Sequence, residues 1–552
     1  MALKHVNAVV VGAGAGGGVV AKELATAGLS VVLLERGKWY TAFDNCKDDL
    51  INQRNSTLGN SFGPDEDRNP RVFVDEQGRE HLVNPRHGDY NNNAACVGGG
   101  TACYGALAWR FMEKDFRMRS TYGTVEGSTL EDWPISYADL EPYYEKAEWE
   151  IGVSGDDSNN IFRAPRRRPL PMPPLPPNRE CEILRPAAVR LGLHPFDEPM
   201  FRNSVPYNGR AACMRCRWCV GFACEVDAKN GTQNTVIPTA LATGNCELRT
   251  ECMVKEILTD DQGRVKGVAY FDSQPRLREQ RADVVVISSS ANESARLLLN
   301  SKSRLFPDGL GNRFDWVGRN LHGHAWAGAR GLFESELYED LGPGCGLGIC
   351  DFNHGNPGLI GGGLLSNEFI RLPYQFVESW RPPGVPSWGR AHKQFMRQWY
   401  RRSMMVAAEI LEMPVFDSRV QVDPKVKDYW GIPVVRLSGH CHPNDQVVGQ
   451  FIAPKCTAIL QEAGAIATWT FLPGTGLSGG QHQAGTCRMG DDPRTSVVDR
   501  YCRVHDVDNL FVVDGSVHVN NGGFNPALTI MAIAYYASDH LVKSWKGMHG
   551  AS

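Results

Sequence analysis

Residues Val6 to Arg36 constrain the fold most. An apolar run, Val9-Val10-Val11, leads into Gly12-Ala13-Gly14-Ala15-Gly16-Gly17-Gly18; a helical pattern follows from Val19 to Ala27, and a second apolar strand, Val31 to Leu34, stops at Glu35. Gly12 permits a tight turn, Gly14 lets the backbone approach a pyrophosphate, and Gly17 lets the helix lie close against the strand. The helix N-terminus then offers free N–H groups and a partial positive charge to an anion. Glu35, about twenty residues on, can accept hydrogen bonds from a ribose diol, with Arg36 beside it. A dinucleotide cradle is the expectation; this stretch alone serves FAD and NAD equally.

The chain has 552 residues, enough for more than one packed core, and its 42% hydrophobic and 22% charged residues are those of a globular protein. A net charge of -4 points neither to nucleic acid nor to a membrane surface. No apolar run approaches the roughly eighteen residues of a membrane span, and no signal peptide precedes the first strand. The expectation is then a cytoplasmic protein, or a periplasmic one exported in the folded state with a partner that carries the address, unless a leader has been lost from this sequence.

Asp44 to Arg86 is polar and reads as surface loops or an insertion, with a hairpin around Asp75-Glu76-Gln77-Gly78. From Asn91 to Gly105 the chain is dense in small residues, including Val97, Gly98, Gly99, Gly100 and Thr101, so its backbone must pass close to something flat or anionic. Arg163 to Pro177 is rich in Arg and Pro and reads as an extended surface connection. Asn245 to Phe271 reads as two strands, a turn at Asp260 to Gly263 and a further strand, Val284 to Ile287 as a buried parallel strand, and Ala291 to Leu299 as a helix.

These segments, in this order, resemble the glucose-methanol-choline (GMC) family of FAD oxidoreductases. The likeness rests on the N-terminal fingerprint, Val97-Gly98-Gly99-Gly100-Thr101, Trp133 to Tyr144, Gly231 to Pro238, Val317 to His324 and the run from His482 to Leu541. It departs at Ile287 to Ser294, where the family usually carries a Gly- and Pro-containing signature. The resemblance implies an α/β fold of two parts, like p-hydroxybenzoate hydroxylase: a Rossmann-like FAD domain and a mostly antiparallel substrate domain roofing the flavin. The expected divisions are 1–165 and 206–320 for the FAD domain, 166–205 for a proline-rich connection, 321–477 for the substrate domain, and 478–552 for the rest of the FAD domain. Val254, Asp514, Gly515, Asn525 and Pro526 join the cradle residues as cofactor contacts. Some family members bind flavin covalently through a histidine where this chain has Cys103; since buried inert cysteines are common, non-covalent FAD is expected.

Cys213, Cys216, Cys219 and Cys224, four of the sixteen cysteines, fall in C-x2-C-x2-C-x4-C spacing. Such spacing suits several thiolates on one centre, an iron–sulfur cluster first, with free thiols or disulfides and then zinc as alternatives. The pattern resembles the cysteine insert of GMC dehydrogenases acting on sugars, polyols or sugar acids. There a three-iron (3Fe-4S) cluster with three ligands passes electrons to a haem subunit, so one of the four cysteines would be spare.

Oxidising an alcohol by hydride transfer requires a base that takes the hydroxyl proton. The resemblance assigns that base to the histidine before Gly-Thr-Cys, His482, and its polar partner to Asn525 of Phe-Asn-Pro-Ala-Leu-Thr. The alternative for Asn525 is an N-cap for the helix that starts near Pro526. His518 is expected at the rim of the site or one layer behind it. The sequence thus reads as an FAD-dependent sugar or glycoside dehydrogenase, C3 of a glycoside preferred. A small export subunit and a cytochrome c or quinone acceptor are its implied partners. The alternatives are a sugar oxidase, a polyol or sugar-acid dehydrogenase, and a flavin-containing lyase.

Overall fold

The computed structural model describes residues 5–44, 62–478, 480 and 482–549. Residues 45–61 of the polar stretch and Gln481, beside His482, lie outside them.

The β-branched runs of the sequence become the centre of a seven-stranded sheet. Cys246–Arg249, Val31–Leu34, Val6–Val11, Leu277–Ile287 and Leu510–Val512 lie parallel in that spatial order. Val9, Val10, Leu33, Val285 and Ile287 are all buried, as strands covered on both faces require. The N-terminal half of Leu277–Ile287 continues antiparallel into Val265–Phe271 and Met253–Thr259, the expected meander. Helix Ala15–Thr26 crosses between the first two strands, packing on the long C-terminal helix Ala527–His549.

A second seven-stranded sheet is antiparallel throughout, in the order Ala467–Phe471, His324–Leu332, Ser403–Leu411, Gly363–Asn367, Leu347–Ile349, Phe196–Met200 and Ser154–Asp156. Its last two strands come from 154–200, chain expected in the FAD domain and the connection; residues 163–177 themselves carry neither helix nor strand. Period-two alternation gives this sheet two duties. Ala325, Ala327, Ala329, Ala408 and Ile410 face helix Pro443–Glu462 and form a core with Val448 and Ile452. The intervening side chains Trp326, Ala407 and Glu409 face the other way, toward the nucleotide sheet.

The predicted hairpin is present, as Arg71–Val74 and Glu80–Val83 around Asp75 to Gly78, within a small sheet completed by Pro433–Ser438 and Arg419–Lys427. No helix among the described residues is long and apolar enough to cross a membrane.

Candidate active site

A cavity of about 550 Å³ runs from the first glycine turn to His482 and Asn525. At one end it lies beyond the carboxyl ends of the parallel strands, at Gly12, Glu35, Ser288 and Asp514, where open α/β sheets bind ligands. Gly12 has φ +99°, and a Cβ there would lie 2.2 Å from the Ser288 carbonyl oxygen. A Cβ on Gly17 would lie 1.9 Å from the Gly12 oxygen, so helix and strand meet through bare backbone. Gly14 differs: a Cβ would meet only Gly99 Cα at 4.0 Å, and both glycines open onto the cavity. Gly14 also starts helix Ala15–Thr26 without a side-chain cap, leaving its first N–H groups for an anion.

Glu35 is buried and accepts from the amides of Ala13 and Gly37, both at 2.9 Å; burial nevertheless raises its pKa. Ser290 Oγ is buried without a hydrogen bond, Arg36 Nη1 is ion-paired with Glu293 Oε1 at 3.3 Å, and both residues line the cavity. An uncapped helix, a bare glycine approach, an orphaned hydroxyl and a cation at the cavity wall fit a phosphate- and ribose-bearing cofactor. Of the other cradle residues expected from sequence, Arg36, Gly99, Thr101, Val254, Asp514, Gly515 and Pro526 line the cavity, while Gly17, Val97 and Gly98 stand behind it. Cys103 does not line it either. Its thiol sits in a small core with Phe62 and Cys96, where burial pushes its pKa up to about 12.

At the far end the antiparallel sheet closes over the C-terminal helix. His482 and His324 approach Nδ1 to Nδ1 at 2.9 Å, so one proton lies between them. His324 Nε2 lies 3.4 Å from the Asn521 carbonyl oxygen, which can only accept. The proton of His324 is therefore on Nε2, its Nδ1 accepts from His482 Nδ1–H, and His482 Nε2 keeps a lone pair. Asn525 Nδ2 reaches that Nε2 only at 3.5 Å, a weak contact, while donating to Glu409 Oε1 at 2.5 Å. Asn525 Oδ1 has no partner, so the side chain does not cap the helix; it faces Glu409 and His482.

Burial sets the protonation states. His482 is depressed to about 4 by burial alone, and His324 falls well below its usual value through burial and the neighbouring imidazole. Both rings are neutral near pH 7, the form in which an imidazole can accept a proton. Burial raises Glu409 well above the carboxylate range, so it stands as a neutral acid. Donor atoms of His324, Glu409 and His482 lie within 4.8 Å of one another, the one group with metal-ligand spacing among the described residues. Rings already hydrogen-bonded to each other and a protonated carboxyl suit proton handling better than a cation.

Sequence reasoning named His482 and Asn525 but missed Glu409, which sits in an Ala-rich strand with no motif. It also gave His324 no role, although that residue ends the Val317 to His324 segment. His518 is fully buried against Phe111 and Trp133 and bonded to Asn521, so of its two expected places it takes the one behind the site.

The cysteine loop abuts the same cavity through Val220, and the Gly221 amide donates to the Cys103 carbonyl at 2.7 Å. Cys213, Cys216, Cys219 and Cys224 form no disulfide, and no three of them come within 4.8 Å of one another among the described residues. Beneath them lie two buried cations. Arg202 Nη1 donates to Cys219 Sγ at 3.2 Å, with its Nε unpartnered, and Lys229 Nζ donates to the carbonyls of Cys219 and Phe222 at 2.6 and 2.7 Å. Neither cation has a carboxylate partner among the described residues. Burial lowers Lys229 to about 8.

Two profiles of the GMC oxidoreductase family match the chain, the N-terminal one over residues 90–326 and the C-terminal one over 414–534. The gluconate 2-dehydrogenase flavoprotein of Pantoea cypripedii is 27% identical over 97% of this chain and 93% of its own. The 6'''-hydroxyparomomycin C oxidase of Streptomyces lividus is 31% identical over 96% of this chain and 90% of its own. Among solved structures, pyridoxine 4-oxidase from Mesorbium loti shares the fold at TM-score 0.65 and 17% identity, over 97% of this chain and 98% of that one.

Proposed function

The chain belongs to the GMC oxidoreductase family, enzymes acting on CH–OH groups with FAD, and from that premise we propose an FAD-dependent dehydrogenase that oxidises a secondary hydroxyl of a sugar or glycoside. C3 is the preferred position. The observation that carries this reading is the single cavity joining the glycine cradle to His482 and Asn525. FAD, held non-covalently by the cradle, supplies the hydride acceptor. His482 Nε2 takes the hydroxyl proton as the C–H bond breaks, and Asn525 orients the same oxygen and supports its developing negative charge. Glu409 holds the Asn525 amide, and the roofing sheet excludes water.

Electrons would then leave through the cysteine loop. A 3Fe-4S cluster on three of Cys213, Cys216, Cys219 and Cys224 would supply a one-electron acceptor beside the cavity wall at Val220; Arg202 and Lys229 would balance its charge. A cytochrome or quinone beyond it, and a small partner for export to the periplasm, complete the reading.

Anaerobic addition of a panel of glycosides, polyols and sugar acids to the purified protein, with iron analysis, tests this. Glycosides should bleach the flavin and yield 3-keto products, and iron should accompany the protein. Bleaching by polyols or sugar acids alone would move the substrate class, and fast turnover with oxygen on iron-free protein would make it an oxidase. Failure of every alcohol to bleach the flavin would leave a lyase.

A further inference from the structure

The chain carries a net charge of -4, yet residues 379–408 hold six arginines and lysines and no aspartate or glutamate. Helix Gly389–Trp399 lies in the middle of that stretch. Its apolar side, with Phe395, Met396 and Trp399, packs on Phe376, Trp380 and Met405. On the other side Arg390, Lys393 and Arg397 recur at i, i+3 and i+7, all exposed. None of the three has a carboxylate within ion-pair distance among the described residues, whereas the next cation of the row, Arg401, pairs with Asp340 at 2.6 Å.

At the head of the helix Trp388 is 80% exposed. It ends a stiff loop: Pro382, Pro383 and Pro386 fix the backbone, Arg381 donates to the carbonyls of Val377 and Val385 at 3.0 and 2.9 Å, and the His392 ring donates to that of Pro386 at 3.2 Å. The loop that carries the exposed indole is thus pinned by hydrogen bonds, at one end of a cationic row without carboxylate partners among the described residues.

We propose that this face docks on an anionic lipid surface, with Trp388 seated among the headgroups and Arg390, Lys393 and Arg397 over lipid phosphates. Indole rings favour the membrane–water interface, and clustered basic residues favour anionic leaflets. A fluid lipid surface receives a projecting indole and a row of cations without a matching shape; a protein would need a pocket and acidic groups in register with both. The overall charge of the chain conceals this local patch. The proposal does not depend on the substrate or the electron route.

Sedimentation of the holoenzyme with vesicles tests it. At low salt the protein should bind vesicles of phosphatidylcholine and phosphatidylglycerol in equal parts at least about tenfold more tightly than phosphatidylcholine alone, and high salt should release it. The triple variant Arg390→Glu, Lys393→Glu, Arg397→Glu should weaken binding by about 100-fold or more, and Trp388→Ser by about tenfold. Neither variant should change turnover with a soluble dye, which shows that both are folded. Absence of binding to either vesicle, equal binding to both, or undiminished binding by the triple variant would overturn the proposal. So would retention of the protein by an acidic protein or nucleic acid but not by vesicles.

Discussion

The ring nitrogens Nδ1 of His324 and His482 lie 2.9 Å apart, and the Asn521 carbonyl on the far side of His324 fixes the direction of the proton between them. His324 thereby holds His482 in the tautomer whose Nε2 is free. His324→Phe removes the acceptor, leaves a buried N–H unpaired and lets the His482 ring turn. Turnover should fall roughly 10- to 100-fold with FAD content unchanged, and the acid limb of kcat/KM should move. Steady-state kinetics across pH checks this.

Glu409 presents Oε1 to Asn525 and keeps a proton because it is buried. Glu409→Gln retains the shape and the acceptor, so it should keep most activity and the melting temperature. Glu409→Leu leaves Asn525 Nδ2 without its acceptor and should lower turnover by about tenfold or more. If Glu409 were ionised in the folded protein, the Gln variant would lose activity nearly as severely as the Leu variant.

Burial depresses His322, His482 and His518 to about 4, against 6.5 when unfolded. The unfolded chain therefore binds more protons between these values. The resulting stabilisation is fully present above pH 6.5 and is lost as pH falls toward about 4, on the order of 3 kcal/mol per histidine. Melting temperature measured against pH should drop steeply through this window and level off, as far as these groups are concerned, below it.

The two turn glycines should fail differently. Gly12→Ala drives a Cβ into the Ser288 carbonyl at a positive φ and should destabilise the fold itself. Gly14→Ala meets nothing nearer than 4.0 Å, so the protein should fold and melt normally, but the added methyl group projects into the cavity and should cut FAD occupancy. Flavin-to-protein ratio and thermal melting of each variant distinguish the two outcomes.

Much of the architecture was legible because local chemistry and fold agree. The Val-rich runs at 6–11 and 284–287 can only be covered strands, and Pro526 marks the start of the last helix to within one residue. The divisions were harder to read. Phe196–Met200 and Ser154–Asp156 join the second sheet by long-range pairing, and short strands flanked by prolines give no periodic signal. The same limit hid Glu409. An acid in an Ala-rich strand reads as a solvent-facing position until the pairing of Trp326 with Glu409 shows that this face lines the cavity. His482 and Asn525 were legible through the short motifs around them, but the tautomer of His482 depends on His324, 158 positions away in sequence.

The central claim is that His482 accepts the hydroxyl proton during reduction of flavin held in the same cavity. Anaerobic mixing of an active glycoside with the His482→Ala variant, following the flavin absorbance, tests it most directly. Bleaching should slow by about 100-fold or more relative to the unaltered protein, with FAD still fully bound. A variant that retains its flavin and bleaches at the unaltered rate would contradict the account.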